Sequence, residues 1–105
     1  VDSVFEGIFS AMVTPMTQDE QVDYKTLGTF ADYQIQSGVQ GLIPLGSTGE
    51  YYALSDSERE AVVKTTLEAA AGRVPVLVGT NGGGTAQVIA YSQQAEALGA
   101  AGVLL

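Results

Sequence analysis

The sequence predicts an α/β fold of repeated strand–helix units whose strands run parallel. Three observations carry this. Short apolar runs alternate with capped helical patterns in the order βαβαβαβ along the 105 residues. The strand starts recur about every 27–34 residues, the spacing of βα units joined by right-handed crossovers. The third apolar run, Val74-Pro75-Val76-Leu77-Val78-Gly79, is rich in β-branched residues and does not alternate. Both of its faces are therefore expected to be covered.

Residues 1–6 read as a polar lead-in. The run Gly7-Ile8-Phe9-Ser10-Ala11-Met12-Val13 is the first strand, stopped at Thr14-Pro15 because proline cannot donate to a ladder. Residues 17–21 form a polar loop. A first helix fits residues 23–37, with Asp23 as N-cap. Leu27, Phe30, Ala31 and Ile35 make its buried stripe, and Ser37-Gly38 ends it. The second strand is residues 41–45, followed by Gly46-Ser47-Thr48-Gly49-Glu50. A second helix begins at Ser55, where Ser55 and Glu58 have the spacing of a capping box. Val63, Leu67, Ala70 and Ala71 are its expected apolar stripe, with Gly72 as the stop. After the third strand, Thr80-Asn81-Gly82-Gly83-Gly84 is a glycine-rich loop, expected to be flexible. Thr85 is expected to cap a third helix, whose inner face is Val88, Tyr91, Ala95 and Leu98 and whose stop is Gly99. Residues 103–105 open a fourth strand. Tyr24, Tyr33 and Tyr91 read as core or helix-face aromatics.

Composition narrows the function. The chain suits one domain, and 46% hydrophobic residues supply a core. Net charge is -8, with four scattered basic residues, Lys25, Arg59, Lys64 and Arg73. No basic stripe for nucleic acid or anionic lipid exists. There is no Cys and no His. That removes disulfides, Cys/His zinc sites and Ser-His or Cys-His nucleophiles. An all-carboxylate Mg²⁺ or Ca²⁺ site stays open in principle, but the acids are spread out and show no metal-loop spacing, so no metal is expected. No apolar run approaches a membrane span, nothing reads as a signal peptide, and the lack of Cys fits a cytoplasmic protein.

The order leaves two architectures, an open doubly wound sheet or part of a (βα)8 barrel. Four strands cannot close such a barrel, which takes about 250 residues. Both architectures place ligands at the C-terminal strand ends. The loops there are Thr14-Pro15, residues 46–50 and residues 79–84, the chemically distinctive parts of the chain. In residues 46–49 the two glycines permit converging backbone N–H groups, and Ser47 and Thr48 add hydroxyls. Such a loop can hold a small anion. Residues 80–84 lack the G-x-G-x-x-G frame and a Walker lysine, so nucleotide binding is not expected.

The chain resembles the N-terminal part of the dihydrodipicolinate synthase / N-acetylneuraminate lyase family of class I, pyruvate-handling aldolases. The matching residues include Ser10-Ala11-Met12-Val13-Thr14-Pro15, Gly46-Ser47-Thr48-Gly49-Glu50, Leu54-Ser55-Asp56-Ser57-Glu58-Arg59, Gly72-Arg73-Val74-Pro75-Val76 and Ala97-Leu98-Gly99-Ala100-Ala101-Gly102. The likeness covers essentially the whole chain in order and spacing. It implies the first half of a (βα)8 TIM barrel, with residues 1–105 as the N-terminal part of one aldolase domain, and a homotetramer. It implies no cofactor beyond a lysine that forms a Schiff base with pyruvate or another 2-oxo acid. The substrate carboxylate would be gripped by Ser47, Thr48 and Gly49, with Thr48 using its hydroxyl and N–H. Ser47 takes the position of a hydroxyl in the proton relay. Glu50 is expected to be a structural acceptor tying the loop down.

The resemblance places the Schiff-base lysine and a proton-shuttle tyrosine on later strands, outside these 105 residues. Lys25 and Lys64 sit on helices where surface lysines belong. The isolated chain is therefore expected to be inactive, and a non-catalytic half-barrel is the competing reading. Ser47, where condensing synthases often carry Thr, points toward the lyase side, although Ser occurs in both branches. N-acetylneuraminate lyase and 2-keto-3-deoxy sugar acid aldolase or dehydratase are the alternatives within the family. Many synthases carry a lysine feedback site that uses a small residue after the Glu, histidines on the second helix and an Asn and Glu near the third loop. Tyr51, Tyr52, Asp56, Arg59, Gly83 and Gln87 stand there instead, which implies no inhibition by lysine.

Overall fold

The helix starts are set by short-range hydrogen bonds. A computed structural model describes residues 5–105; the first four residues of the expected lead-in lie outside the described residues. Asp23 accepts from Thr26 N and caps helix α1, Tyr24–Gln36. Ser55 accepts from Glu58 N at 3.2 Å while Ser55 N donates to Glu58 Oε1 at 2.8 Å. That reciprocal box starts helix α2, Asp56–Ala70, and is worth about 1 kcal/mol. Helix α3, Thr85–Leu98, is capped by Gly84 rather than Thr85. The side chain that serves this end is Gln87, whose Oε1 accepts from Gly83 N at 2.6 Å. Gly99, at φ 102, ends α3 in the left-handed region.

The strands are shorter than the apolar runs: β1 Phe9–Ala11, β2 Gly41–Ile43, β3 Leu77–Gly79 and β4 Gly102–Leu104. β2 stops early because Pro44 has no N–H and Leu45 turns into the left-handed region at φ 63. β1 pairs with β2, and β3 with β4, both in parallel. A parallel bridge between Leu42 and Val76 joins the two pairs. It is reinforced by Leu42 N to Pro75 O at 3.1 Å and Gly79 N to Pro44 O at 2.9 Å. The strands thus lie in chain order, β1-β2-β3-β4, without the reversal that defines a doubly wound sheet. Right-handed crossovers then put every helix on the same side of the sheet. The polar loop also contains an antiparallel bridge, Met16 to Val22, which the sequence did not announce.

Alternation now separates the two faces. Met12, Leu42, Val76, Val78 and Thr80 are buried under the helices. Their neighbours on the other face, such as Ala11 and Leu104, are exposed. The third strand is therefore covered on one face within this chain, not on both. Leu27 and Ala31 on α1 and Val62, Val63 and Ala70 on α2 complete the core. Each fully buried valine contributes about 1.5–3 kcal/mol. On α2 the buried stripe is Arg59, Val62, Val63, Thr66 and Ala70. Ala71 does not belong to it: it is the exposed left-handed C-cap at φ 49. Tyr33 is likewise no core residue, at 66% exposure.

Candidate functional site

The C-terminal ends of the four strands carry the loops that stand out in the sequence. Leu45 is buried and left-handed, so the chain turns sharply out of β2 into residues 46–50. Gly79 lies directly beneath this turn, and a Cβ there would overlap the Leu45 carbonyl. Within the loop, Gly49 N donates to Gly46 O at 3.0 Å and Glu50 N to Ser47 O at 3.1 Å. Gly49 is buried at the base, where a Cβ would come within 3.0 Å of Met12 O. Ser47 and Thr48 form the exposed tip. Among the described residues, their hydroxyls and N–H groups donate to no protein acceptor. Two hydroxyls and two N–H groups thus lie on one exposed turn, the donor set that suits a carboxylate.

Glu50 does not tie the loop down with its carboxylate. The side chain is exposed and makes no bond among the described residues. Its backbone turns the chain instead: at φ 55 it starts a short 3-10 helix, Tyr51–Ala53, and its carbonyl accepts from Ala53 N at 3.0 Å. The side chain that ties the loop down is Thr14, whose Oγ1 donates to Gly49 O at 2.7 Å. The Thr14-Pro15 pair therefore does more than stop a strand.

The start of the glycine-rich loop after β3 is held by hydrogen bonds. Thr80 is fully buried, its N–H donates to Leu104 O at 3.0 Å, and Ser92 Oγ bonds its hydroxyl at 3.2 Å. Asn81 Oδ1 accepts from Gly82 N at 3.1 Å, and Asn81 Nδ2 donates to Tyr51 Oη at 3.1 Å. Behind this pair lies Arg59, only 4% exposed. Its guanidinium stacks 3.7 Å from the Tyr91 ring centroid and 5.4 Å from that of Tyr51. It donates to Asn81 O at 3.0 Å and, at the limit of bonding, to Gly79 O at 3.5 Å. Burial lowers the Arg59 pKa, opposed by Tyr91, Asp56 and Tyr51. Tyr91 donates its hydroxyl to Asp56 Oδ1 at 2.6 Å, and that bond raises its pKa.

Two cavities meet at Tyr51, which lines both. The inner one, about 70 Å³, is lined by Gly46, Ser47, Tyr51, Gly79 and Asn81 among others. The outer one, about 380 Å³, is bounded by Tyr52, Asp56, Arg59, Gln87 and Tyr91 as well as Tyr51. The sequence placed Ser47, Thr48 and Gly49 in the loop but gave no bracing role to Thr14 or Asn81. Arg59 carried a detectable signal: residues 59, 62, 63, 66 and 70 fall at helical spacing once an arginine and a threonine are admitted to the stripe. Among the described residues no acidic cluster could hold a metal ion, and no helix is long and apolar enough to cross a membrane.

A family model for the dihydrodipicolinate synthetase family matches residues 4–105. The chain belongs to this family. It is similar to the 4-hydroxy-tetrahydrodipicolinate synthase of Sorangium cellulosum, 48% identical over 100 residues, which are 94% of this chain and 33% of the relative. The synthase of Rhizobium meliloti is 44% identical over 102 residues, 97% of this chain and 35% of the relative. Among solved structures, dihydrodipicolinate synthase from Thermotoga maritima superposes with a TM-score of 0.90 at 39% identity, over 96% of this chain and 34% of that one. YagE from E. coli, a prophage protein of the dihydrodipicolinic acid synthase family solved in complex with pyruvate, gives 0.90 at 38% identity, over 96% and 34%. The chain spans about a third of the length of these relatives. Its four parallel strands in chain order are the first half of a (βα)8 barrel, as the resemblance implied.

Proposed function

We propose that the full-length protein carrying this segment is a class I lyase of 2-oxo acids, with pyruvate as the carbonyl substrate. The observation that carries this reading is the tip of the loop after β2. Ser47 and Thr48 present hydroxyl and N–H donors that no protein group among the described residues uses, at the strand end where barrel enzymes bind substrate. Thr48 holds the substrate carboxylate by its hydroxyl and N–H, next to Gly49, and Ser47 relays a proton. The relative solved in complex with pyruvate supports a 2-oxo acid as the substrate class. The names of the relatives favour condensation, as in 4-hydroxy-tetrahydrodipicolinate synthesis.

In this reading a lysine outside the 105 residues condenses with the substrate carbonyl and loses water. The imine draws electrons from the neighbouring carbon, so a carbanion there adds to an aldehyde or is released by cleavage. No further cofactor is needed, and the protein works as a homotetramer in the cytoplasm. Residues 1–105 are the N-terminal part of that single domain. The two lysines of this chain are poor substitutes. Lys25 is exposed on α1, and Lys64 is paired with Glu60 at 3.2 Å on the outer face of α2.

The test is borohydride reduction of the full-length protein in the presence of pyruvate, read by intact mass. One reduced pyruvate adduct per chain, mapped to a lysine outside this segment, is the expected result. An unmodified protein that still turns over 2-oxo acids overturns the reading. The isolated 105-residue chain is expected to form no adduct and to show no condensation or cleavage above background.

A further inference from the structure

We propose that Arg59 is a positioning residue that fixes the wall facing Ser47 by holding Asn81 against the Tyr51 hydroxyl. The proposal rests on the reading of residues 46–49 as a 2-oxo acid site. A buried guanidinium is costly unless its bonds are satisfied, and an apolar residue would fill the same stripe of α2 more cheaply. Among the described residues Arg59 makes no ion pair within 4 Å. Its directional bonds go instead to the backbone at the end of β3, Asn81 O at 3.0 Å and Gly79 O at 3.5 Å. Its flat faces lie against Tyr91 and Tyr51. A planar, forked cation can do both at once, and lysine cannot.

The consequence travels two bonds. With its carbonyl held by Arg59, Asn81 directs Nδ2 to Tyr51 Oη at 3.1 Å and Oδ1 to Gly82 N at 3.1 Å. Tyr51 immediately follows the loop 46–50, and both Tyr51 and Asn81 line the small cavity that contains Ser47. Asp56, one turn before Arg59 on α2, accepts from Tyr91 at 2.6 Å and so keeps the stacking ring in place. Arg59 touches no substrate position itself. It sets where two polar side chains stand across from the loop tip.

The experiment is a double-mutant cycle in the full-length protein, using Arg59→Lys, Tyr51→Phe and the pair, with pyruvate as the probe. Tyr51→Phe deletes one hydroxyl and is expected to raise KM for pyruvate about fivefold, with kcat within about twofold. Arg59→Lys is expected to raise KM about tenfold. The pair is expected to be no worse than Arg59→Lys within about twofold, because both changes cut one chain of contacts. Multiplying effects, or a Tyr51→Phe enzyme with unchanged KM, overturn the proposal. If Arg59→Lys does not fold, Asn81→Ala replaces it in the same cycle, with the same two outcomes. Amide exchange of residues 82 and 83 gives a substrate-free reading: faster in Arg59→Lys than in the unsubstituted protein if Arg59 holds this wall, unchanged if it does not. Absence of any pyruvate adduct in the unsubstituted protein sinks the reading of the site, while the exchange comparison still decides the role of Arg59.

Discussion

The carbonyl of Leu45 occupies the space where a Cβ on Gly79 would lie. Leu45 is left-handed and 2% exposed, so its peptide cannot swing away without disturbing the core. Gly79 is thus the residue that lets β2 and β3 approach closely enough for the loop after β2 to turn outward. Gly79→Ala is expected to destabilise the protein by about 1–3 kcal/mol, the usual cost of forcing atoms into filled space. Urea denaturation checks it. A midpoint equal to that of the unsubstituted protein would mean that the loop moves aside at no cost.

The loop tip makes the complementary prediction, on binding rather than stability. Thr48 is exposed and its hydroxyl has no protein partner among the described residues, so Thr48→Val leaves the fold alone. If the hydroxyl grips a carboxylate, its loss removes a hydrogen bond to a charged group. KM for pyruvate in the full-length enzyme should then rise about tenfold to a hundredfold, and Thr48→Ser should recover most of it. A Thr48→Val enzyme with native KM would remove Thr48 from the carboxylate site.

What could be read without coordinates divides along the range of the interaction. Asp23 with Thr26 and Ser55 with Glu58 act within one turn, so residue type and spacing located both helix starts. The order of loops at the strand ends followed from parallel strands alone. Thr14 braces Gly49 across 35 residues, and that contact depends on the register of β1 with β2. Arg59 was hidden for a different reason. A cation is discounted when an apolar stripe is traced, so the expected stripe began one turn late, at Val63, and ran one residue too far, to Ala71. Leu45 and Glu50 in left-handed backbone carry no local signal, because neither is Gly, Asn or Asp.

Asp23 predicts a pH dependence. Its carboxylate accepts from Thr26 N at 3.0 Å and from Thr26 Oγ1 at 2.8 Å. The backbone bond first, then the hydroxyl bond, lower its pKa below the ordinary value. A carboxyl with a depressed folded pKa contributes stability that is full above its unfolded pKa and disappears as pH falls through the folded one. The stability difference between the unsubstituted protein and Asp23→Asn should therefore shrink on acidification from neutral pH to below the usual carboxylate range. Thermal midpoints of both proteins across that window measure it. A gap that stays constant with pH would assign the cap to hydrogen-bond geometry alone.

The outer cavity bears on regulation. Tyr51, Tyr52, Asp56, Arg59 and Gln87, residues aligned by the family resemblance with the lysine feedback site, line one space of about 380 Å³ together with Tyr91. Its chemistry opposes a cationic amino acid. The Arg59 guanidinium on its wall repels an ammonium. One oxygen of the nearby carboxylate, Asp56 Oδ1, is bonded to Tyr91, and Arg59 covers one face of each of the Tyr51 and Tyr91 rings. Millimolar lysine is therefore expected to leave the rate of the full-length enzyme unchanged at limiting pyruvate. Suppression of that rate, relieved when Tyr52 is cut back to Ala, would show that the tyrosine-lined cavity admits the amino acid after all.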